Sequence, residues 1–415
     1  MLPVMTVGPR LTFLEALFTA TSAVCVTGLV VVDTGTTFTV AGQVVILALI
    51  QIGGLGFMSM ATLFFMLMGK KIGFRNRVLI QESLNHTSLS GVVRLVRAIL
   101  IYTLIFEGAA ALILGLRFSM DMGFARGMYY GVFHAVSAFC NAGFDLMGNF
   151  SSLTAYSNDL IVNITIMTLF ITGGLGFAVV LNVADKWRRP VHLNFHSKLV
   201  LLLTAMLLIT AFVVVFALEY SNEDTLAGLP WPEKLLGTAF TAATPRTAGF
   251  NTLPTDALRQ PTQFFIILLM FIGASPASTG GGIKTATLGV VLVAVYSMVR
   301  GDPDAVLFKR RLPQYIIHKA LAIIMISLIL VISVTLLLSI TEPFEFLDVL
   351  FESVSAFGTV GLSTGITPDL SAIGKVIIIV TMFVGRVGPV TLTLAFAQRL
   401  SANKIRYPEE RVMVG

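Results

Sequence analysis

Four stretches of this chain are built alike, and each closes on a glycine. They read FTATSAVCVTGL from Phe18 to Leu29, FHAVSAFCNAGF from Phe133 to Phe144, FTAATPRTAGF from Phe240 to Phe250 and FESVSAFGTVGL from Phe351 to Leu362. No nucleophile paired with a base and no metal set is visible, so the sequence does not read as an enzyme, and the chemistry on offer is that of the backbone. Carbonyl oxygens turned toward one axis replace the hydration shell of an alkali cation, and the number and spacing of those dipoles favour one ion. Glycine permits that turn, because without a Cβ it adopts positive φ freely. The candidate ligands are the backbone carbonyls of Cys25, Val26, Thr27 and Gly28; of Cys140, Asn141, Ala142 and Gly143; of Arg246, Thr247, Ala248 and Gly249; and of Gly358, Thr359, Val360 and Gly361. Small residues also let helices pack closely, but four copies in register, each ahead of a related span, point to a filter.

Such loops need elements to hold them. The pattern returns about every 110 residues. Three copies place ten steps between phenylalanine and glycine; the third places nine and carries Pro245 and Arg246, so an asymmetric ring is expected. Each copy is too short, and too rich in Ala, Ser and Thr, to cross a bilayer, and reads as a re-entrant helix and loop whose helix aims the negative end of its dipole at the cavity. Irregular backbone at membrane depth is tolerated where protein buries it or where it lines a water-filled cavity, and four related loops most simply surround one axis. Seven apolar stretches are long enough to span: Phe38 to Met68, Leu95 to Leu116, Leu160 to Val183, Leu199 to Leu218, Phe264 to Val299, Ala320 to Ile340 and Val376 to Ala397. IQIGGLGF (Ile50 to Phe57) nearly repeats as FITGGLGF (Phe170 to Phe177), with GGIK (Gly281 to Lys284) and GRVG (Gly385 to Gly388) aligned beneath them.

The predicted fold class is an all-α integral membrane protein of four tandem helix–pore loop–helix repeats around a pseudo-fourfold pore. Repeat 1 occupies 1–69, repeat 2 92–184, repeat 3 197–300, repeat 4 318–400, and a tail 401–415. Repeat 1 opens on its re-entrant helix near Leu11 and lacks an outer helix in this chain. Either about 25 to 30 residues ahead of Met1 supply one, the favoured reading, or the first repeat does without it.

With 56% apolar and 12% charged residues, the chain holds more apolar side chain than one soluble core hides, so its solvent is mostly lipid. The net charge of +6 does not require nucleic acid, because the basic residues sit in short loops between spans. Lys70, Lys71, Arg75, Arg77, Arg94 and Arg97 share one loop; Lys186, Arg188, Arg189 and Lys198 another; Arg300, Lys309, Arg310, Arg311 and Lys319 a third; Arg399, Lys404, Arg406 and Arg411 the tail. The positive-inside rule puts these segments in the cytoplasm, and the expected location is the plasma membrane. The opposite segments carry Glu219, Glu223, Asp224 and Glu233, and Glu342, Glu345, Asp348 and Glu352. A negative outer mouth that concentrates cations is expected there.

Between Phe264 and Val299 the apolar run breaks at Gly273-Ala274-Ser275-Pro276-Ala277-Ser278-Thr279-Gly280-Gly281-Gly282. Proline removes a donor and glycine costs helix stability, so the helix opens. An unwound segment below a filter obstructs the path, and residues Ser275 to Gly282 are the candidate gate. Lys284 and Arg386 are charges inside apolar spans, which makes both functional candidates. Arg386 either raises the barrier to a cation or tethers the loop; Lys284 either joins it or snorkels toward the cytoplasm. Glu107, in an outer span, is expected to bond a neighbouring helix.

The motifs CVTGL, CNAGF, PRTAGFN and TVGLSTG, over nearly the whole chain, are similar to those of the Trk/Ktr/HKT superfamily of potassium transporters, and within it to the bacterial KtrB type. The resemblance implies potassium uptake, often sodium-stimulated, by a homodimer gated by a cytoplasmic nucleotide-binding ring. ATP or ADP would then act through the partner alone, with no covalent cofactor in this chain. It also implies a flexible intramembrane loop in repeat 3 as gate, an arginine at Arg386 that tethers it, and a tail from Tyr407 to Gly415 that joins the dimer. One glycine per loop, where tetrameric channels have TVGYG, implies looser selectivity. A sodium-coupled secondary transporter of another small solute is the alternative, but such folds usually show inverted repeats with two interrupted helices. Here the units run in one sense, and one interruption is expected. His192 and His196 have the spacing of a zinc pair without the HExxH glutamate, and GGGIKT lacks the spacing of a phosphate loop.

Overall fold

The computed structural model describes residues 3–8, 10–56, 92–188, 193–388 and 410. Among them the chain is helical but for one hairpin, β1 (Val306–Leu307) and β2 (Arg310–Arg311). Repeat 1 contributes a short helix α1 (Phe13–Cys25) and an inner helix α2 (Val40–Leu55). Repeat 2 has an outer helix α3 (Val92–Met122), a short helix α4 (Phe124–Phe139), and an inner helix in two pieces, α5 (Leu160–Gly174) and α6 (Phe177–Arg188). Repeat 3 follows with α7 (Phe195–Glu219), α8 (Trp231–Ala243) and the divided α9 (Gln260–Phe271) and α10 (Thr285–Val299). Repeat 4 has α11 (Gln314–Thr341), α12 (Phe346–Gly358) and α13 (Ala372–Val387).

Helix starts are set by polar side chains that accept the first free N–H groups. Thr12 and Glu15 form a reciprocal capping box at α1. Thr39, Asp159, Asn194 and Ser371 cap α2, α5, α7 and α13. The phenylalanines that open the four motifs, Phe18, Phe133, Phe240 and Phe351, are all fully buried, as are Phe144 and Phe250 just past two of the glycines. Each such ring contributes about 1.5–3 kcal/mol, so the glycine loops hang between apolar anchors. Between α3 and α4 the packing is backbone to backbone: a Cβ on Gly131 or Gly127 would overlap the backbone at Gly115 or Ser119.

α3, α7 and α11 are long and apolar enough to cross a membrane, and α5 with α6 would be a fourth as a bent pair. Their outward faces expose Leu104, Ile105, Ile209, Val213, Ile329 and Leu336, as expected of a surface in contact with lipid. One expectation is refined. Leu160 to Val183 is not one straight helix, since the chain turns through 103° between α5 and α6 and Gly176 sits at φ +88°. The Gly-Gly-Leu-Gly run weakens the helix there by about 1 kcal/mol per glycine relative to alanine, and a neighbouring segment takes up the freed backbone groups. The expected opening of the third inner helix is present: α9 stops at Phe271, and Gly281–Lys284 belongs to the connection into α10.

Candidate functional site

The four glycine loops share one backbone pattern. The residue two before each glycine, and the glycine itself, lie at positive φ: Val26 (57°) and Gly28 (90°), Asn141 (58°) and Gly143 (68°), Thr247 (69°) and Gly249 (78°), Thr359 (50°) and Gly361 (91°). The residue between them does not. Val26, Thr247 and Thr359 are β-branched, for which left-handed backbone is a true outlier costing about 1–3 kcal/mol. The short helices impose it by closing with a back-bond, five residues long in three loops and four in the third: the N–H groups of Thr27, Ala142, Ala248 and Val360 donate to the carbonyls of Ser22, Ser137, Thr244 and Ser355 at 2.8, 2.8, 3.0 and 2.9 Å. The glycines then meet in a ring. A Cβ on Gly28 would overlap the Ala142 carbonyl, one on Gly143 would lie 2.9 Å from the Cα of Gly249, one on Gly249 would overlap the Val360 carbonyl, and one on Gly361 the Thr27 carbonyl. Both φ and space exclude any other residue.

Behind the ring stand side chains that sequence reasoning passed over. Ser22 Oγ accepts from the Gly28 N–H at 3.1 Å and Ser355 Oγ from the Gly361 N–H at 3.2 Å. Ser137 Oγ donates to the Phe144 carbonyl at 2.7 Å, and Thr244 Oγ1 to that of Phe250. Their signal was present, since each occupies the same place in its repeat.

Above the ring a cavity of about 220 Å³ is lined by the four glycines together with Asp145, Ser152, Asn251, Ser363 and Thr367. Burial pushes the Asp145 carboxyl up to about 6, and the nearby charge of Asp33 adds to the shift. Of the acidic residues read from the sequence as an outer mouth, Glu223, Asp224 and Glu345 are exposed, while Glu219, Glu342 and Glu352 are buried and placed otherwise. Glu219 is buried and accepts from the Arg259 N–H at 3.0 Å and from Thr262 at the start of α9; Glu342 accepts from the Ser371 N–H at 2.9 Å and its hydroxyl at 2.6 Å at the start of α13. Those carboxylates satisfy helix starts instead of facing the cavity. Glu352 is also buried, accepting from Ser363 at 2.8 Å and from Thr367. The carboxylate that lines the cavity is Asp145, two residues past Gly143.

Below the ring the segment between α9 and α10 crosses the axis. Thr279 Oγ1 donates to Asn141 Oδ1 at 2.9 Å, Asn141 Nδ2 to Thr247 Oγ1 at 3.1 Å, and the Gly281 N–H to Thr359 Oγ1 at 2.9 Å. Gly280 packs on the Thr247 side chain too closely for a Cβ. Ser275 Oγ and Thr285 Oγ1 are 2.9 Å apart, Ser278 Oγ donates to the Ser275 carbonyl at 2.6 Å, and Ala277 and Gly282 lie at φ 55° and 67°. Arg386 donates through one nitrogen to the Thr279 carbonyl and through the other to the Gly53 carbonyl of α2. Lys284 Nζ donates to the Gly280 and Gly281 carbonyls at 2.7 and 3.3 Å, so it folds onto the loop and does not snorkel.

Other candidates fall apart from the axis. The Arg246 side chain is buried, its Nε has no hydrogen-bond partner among the described residues, and it borders a small cavity beside Phe170, Ile171 and Gly174. Glu107 accepts from Gln51 Nε2 of α2 at 3.2 Å, a helix-to-helix bond beside the Cys140 thiol. His192, the basic residues from Lys70 to Arg77, and the tail apart from Glu410 lie outside the described residues.

A mostly helical chain with several apolar helices and four loops meeting at an axis is a membrane transport protein in its architecture. The chain belongs to the family described as TrkH, cation transport protein, whose profile matches residues 1–406. It is 49% identical to the Ktr system potassium uptake protein B of Bacillus subtilis (strain 168), over 100% of this chain and 92% of that one. The protein of the same description from Vibrio alginolyticus is 41% identical, over 100% and 90%. The potassium/sodium uptake protein NtpJ of Enterococcus hirae is 40% identical, over 98% and 91%. The crystal structure of the potassium transporter TrkH from Vibrio parahaemolyticus superposes with a TM-score of 0.76 at 18% identity, covering 93% of this chain and 79% of that one, which shows the shared fold.

Proposed function

We propose that this chain takes potassium ions across the plasma membrane through the axis of the four loops. The observation that carries the reading is the repeated sign of φ: left-handed backbone two before each glycine and at the glycine itself, in four loops that close on one another. That alternation turns successive carbonyls to one side, where they replace water around an alkali cation. The backbone carbonyls from Cys25 to Gly28, Cys140 to Gly143, Arg246 to Gly249 and Gly358 to Gly361 are the ligands. Ser275 to Gly282 is the gate, with Lys284 closing the loop on itself and Arg386 latching it. Relatives named for potassium uptake, one of them for potassium and sodium, support potassium as cargo and sodium as activator or second cargo. Their description as part of a Ktr system supports a separate regulatory subunit, here taken to be a cytoplasmic nucleotide-binding ring below a homodimer, with the basic loops and the tail facing it.

Two interrupted helices are what the solute-symporter alternative asks for. In this chain, however, the second interruption pairs with the repeat-3 loop under the ring, which favours a gate over a midplane substrate site. Expression in a host lacking its own potassium uptake tests the reading. Growth at limiting potassium, with rubidium-86 uptake into proteoliposomes, is the expected result; uptake of an organic solute without alkali-cation flux would refute it.

A further inference from the structure

The α5–α6 corner and the repeat-3 loop are both broken helices, and each satisfies the other. The Ser275 N–H donates to the Gly174 carbonyl at 3.0 Å, the Phe177 N–H to the Ala277 carbonyl at 2.9 Å, and the Thr279 N–H to the Gly173 carbonyl at 3.4 Å. Gly176, at φ +88°, lies against the Pro276 carbonyl so closely that no Cβ fits. Buried backbone groups are costly to leave unpaired, so the loop cannot leave the ring without either breaking these bonds or taking the corner with it. α6 is buried at its start, where Phe177 and Val179 pack inward, and exposed at Asp185 and Lys186. Asn182 on α6 accepts from the Asn194 N–H at 3.1 Å, which ties α6 to the start of α7.

We infer that the α5–α6 corner is the post from which the Ser275–Gly282 loop is hung, and that α6, turning about Gly176, is the arm that lowers the loop from the ring. The inference rests on reading that loop as the gate. Arg386 holds the Thr279 carbonyl toward repeat 1, and the corner holds Ser275, Ala277 and Thr279 toward repeat 2 through three main-chain bonds. A glycine at the base of a short helix is a hinge that absorbs a change in φ and ψ with little packing loss. Motion of the exposed end of α6 is therefore passed to the Ala277 carbonyl through a single hydrogen bond.

The test uses the full chain in proteoliposomes with rubidium-86 uptake as the reading. Gly176→Ala forces a Cβ against the Pro276 carbonyl and is expected to raise uptake about tenfold. Ala277→Gly relieves left-handed strain at the loop's contact with the corner, and is expected to lower uptake by about two- to fivefold; because it only removes strain, it carries the test should Gly176→Ala fold poorly. A chain with residues 275–282 shortened serves as reference: its uptake rises, and adding Gly176→Ala to it adds nothing. Wild-type uptake in both single variants, with the shortened loop still raising it, overturns the role of the corner and leaves the gate standing. An unchanged uptake in the shortened chain overturns the gate, and the post with it.

Discussion

Replacing Arg386 with Gln removes the guanidinium that joins the Thr279 carbonyl of the loop to the Gly53 carbonyl of α2. A hydrogen bond from a charged donor contributes about 1.5–3 kcal/mol, and a neutral amide bond about 0.5–1.5 kcal/mol. Gln at this position reaches at most one of the two carbonyls. Allowing for water that reaches the freed carbonyl once the loop lifts, the seated state loses about 1.5–3 kcal/mol, or roughly 10- to 100-fold in the seated-to-lifted ratio. Rubidium-86 uptake by proteoliposomes should rise by up to that factor, limited by the flux of the open pore. Arg386→Lys separates a latch from an electrostatic barrier. Lysine keeps the charge but cannot make the forked bridge, so a latch predicts high uptake in both variants and a barrier predicts high uptake in Gln alone. A fall in uptake for Arg386→Gln, with normal expression and unfolding temperature, would refute both.

The ring and its mouth give three further expectations. Gly361→Ser places a side chain at φ 91° against the Thr27 carbonyl and should lower the preference for potassium over sodium about tenfold in competitive uptake; an unaltered preference would mean the glycines serve packing alone. Ser355→Ala leaves the Gly361 N–H without its acceptor, a loss of about 1 kcal/mol, and should cut the same preference about fivefold while leaving the amount of folded protein unchanged. Asp145, with its carboxyl pushed up to about 6 by burial, is ionised above that pH and neutral below it. Uptake should drop about two- to fivefold as the outer pH falls from 7 to 5, since a nearby charge is worth about 1 kcal/mol in water. Asp145→Asn should start low and show no drop in that window, whereas a retained pH response would place the titrating group elsewhere.

Much of the ring was legible because repetition is itself a property of sequence. Phe18, Phe133, Phe240 and Phe351 announce four copies of one unit, and their glycines lie where the backbone turns left-handed. The break at Gly273–Gly282 was legible too, from proline and glycine in an apolar run. The second break was not. Gly-Gly-Leu-Gly stands in identical form at Gly53–Gly56 and Gly173–Gly176, and at the second copy the corner's backbone groups pair with a loop about 100 residues away, which no local pattern reveals. Glu219 and Glu342 misled for a related reason: a carboxylate at the end of an outer helix is nearer to the next helix start than to the axis, and both are used there. Arg386 reaches carbonyls 107 and 333 residues away in sequence, a separation no local pattern encodes.

A single chain also lets the four corners of a ring diverge, and the side chains two before each glycine show how that freedom is used. Asn141, Thr247 and Thr359 are polar, and the Thr279–Gly281 segment bonds to or packs on all three. At the fourth corner Val26 has no group that can take a hydrogen bond, so the loop cannot be fastened there in the same way. That is the side on which Arg386 spans from Thr279 to Gly53, whose Cβ position lies against the Val24 carbonyl at the end of α1. Contact under the ring is therefore off-centre, with three corners held by side chains of the glycine loops and the first by a guanidinium. Val26→Thr should add a partner on the first side and lower uptake by a few-fold, about the contribution of one neutral hydrogen bond. In the Arg386→Gln background the same substitution should restore part of the lost closure. If it leaves uptake unchanged in both backgrounds, the first corner is not held as this geometry requires.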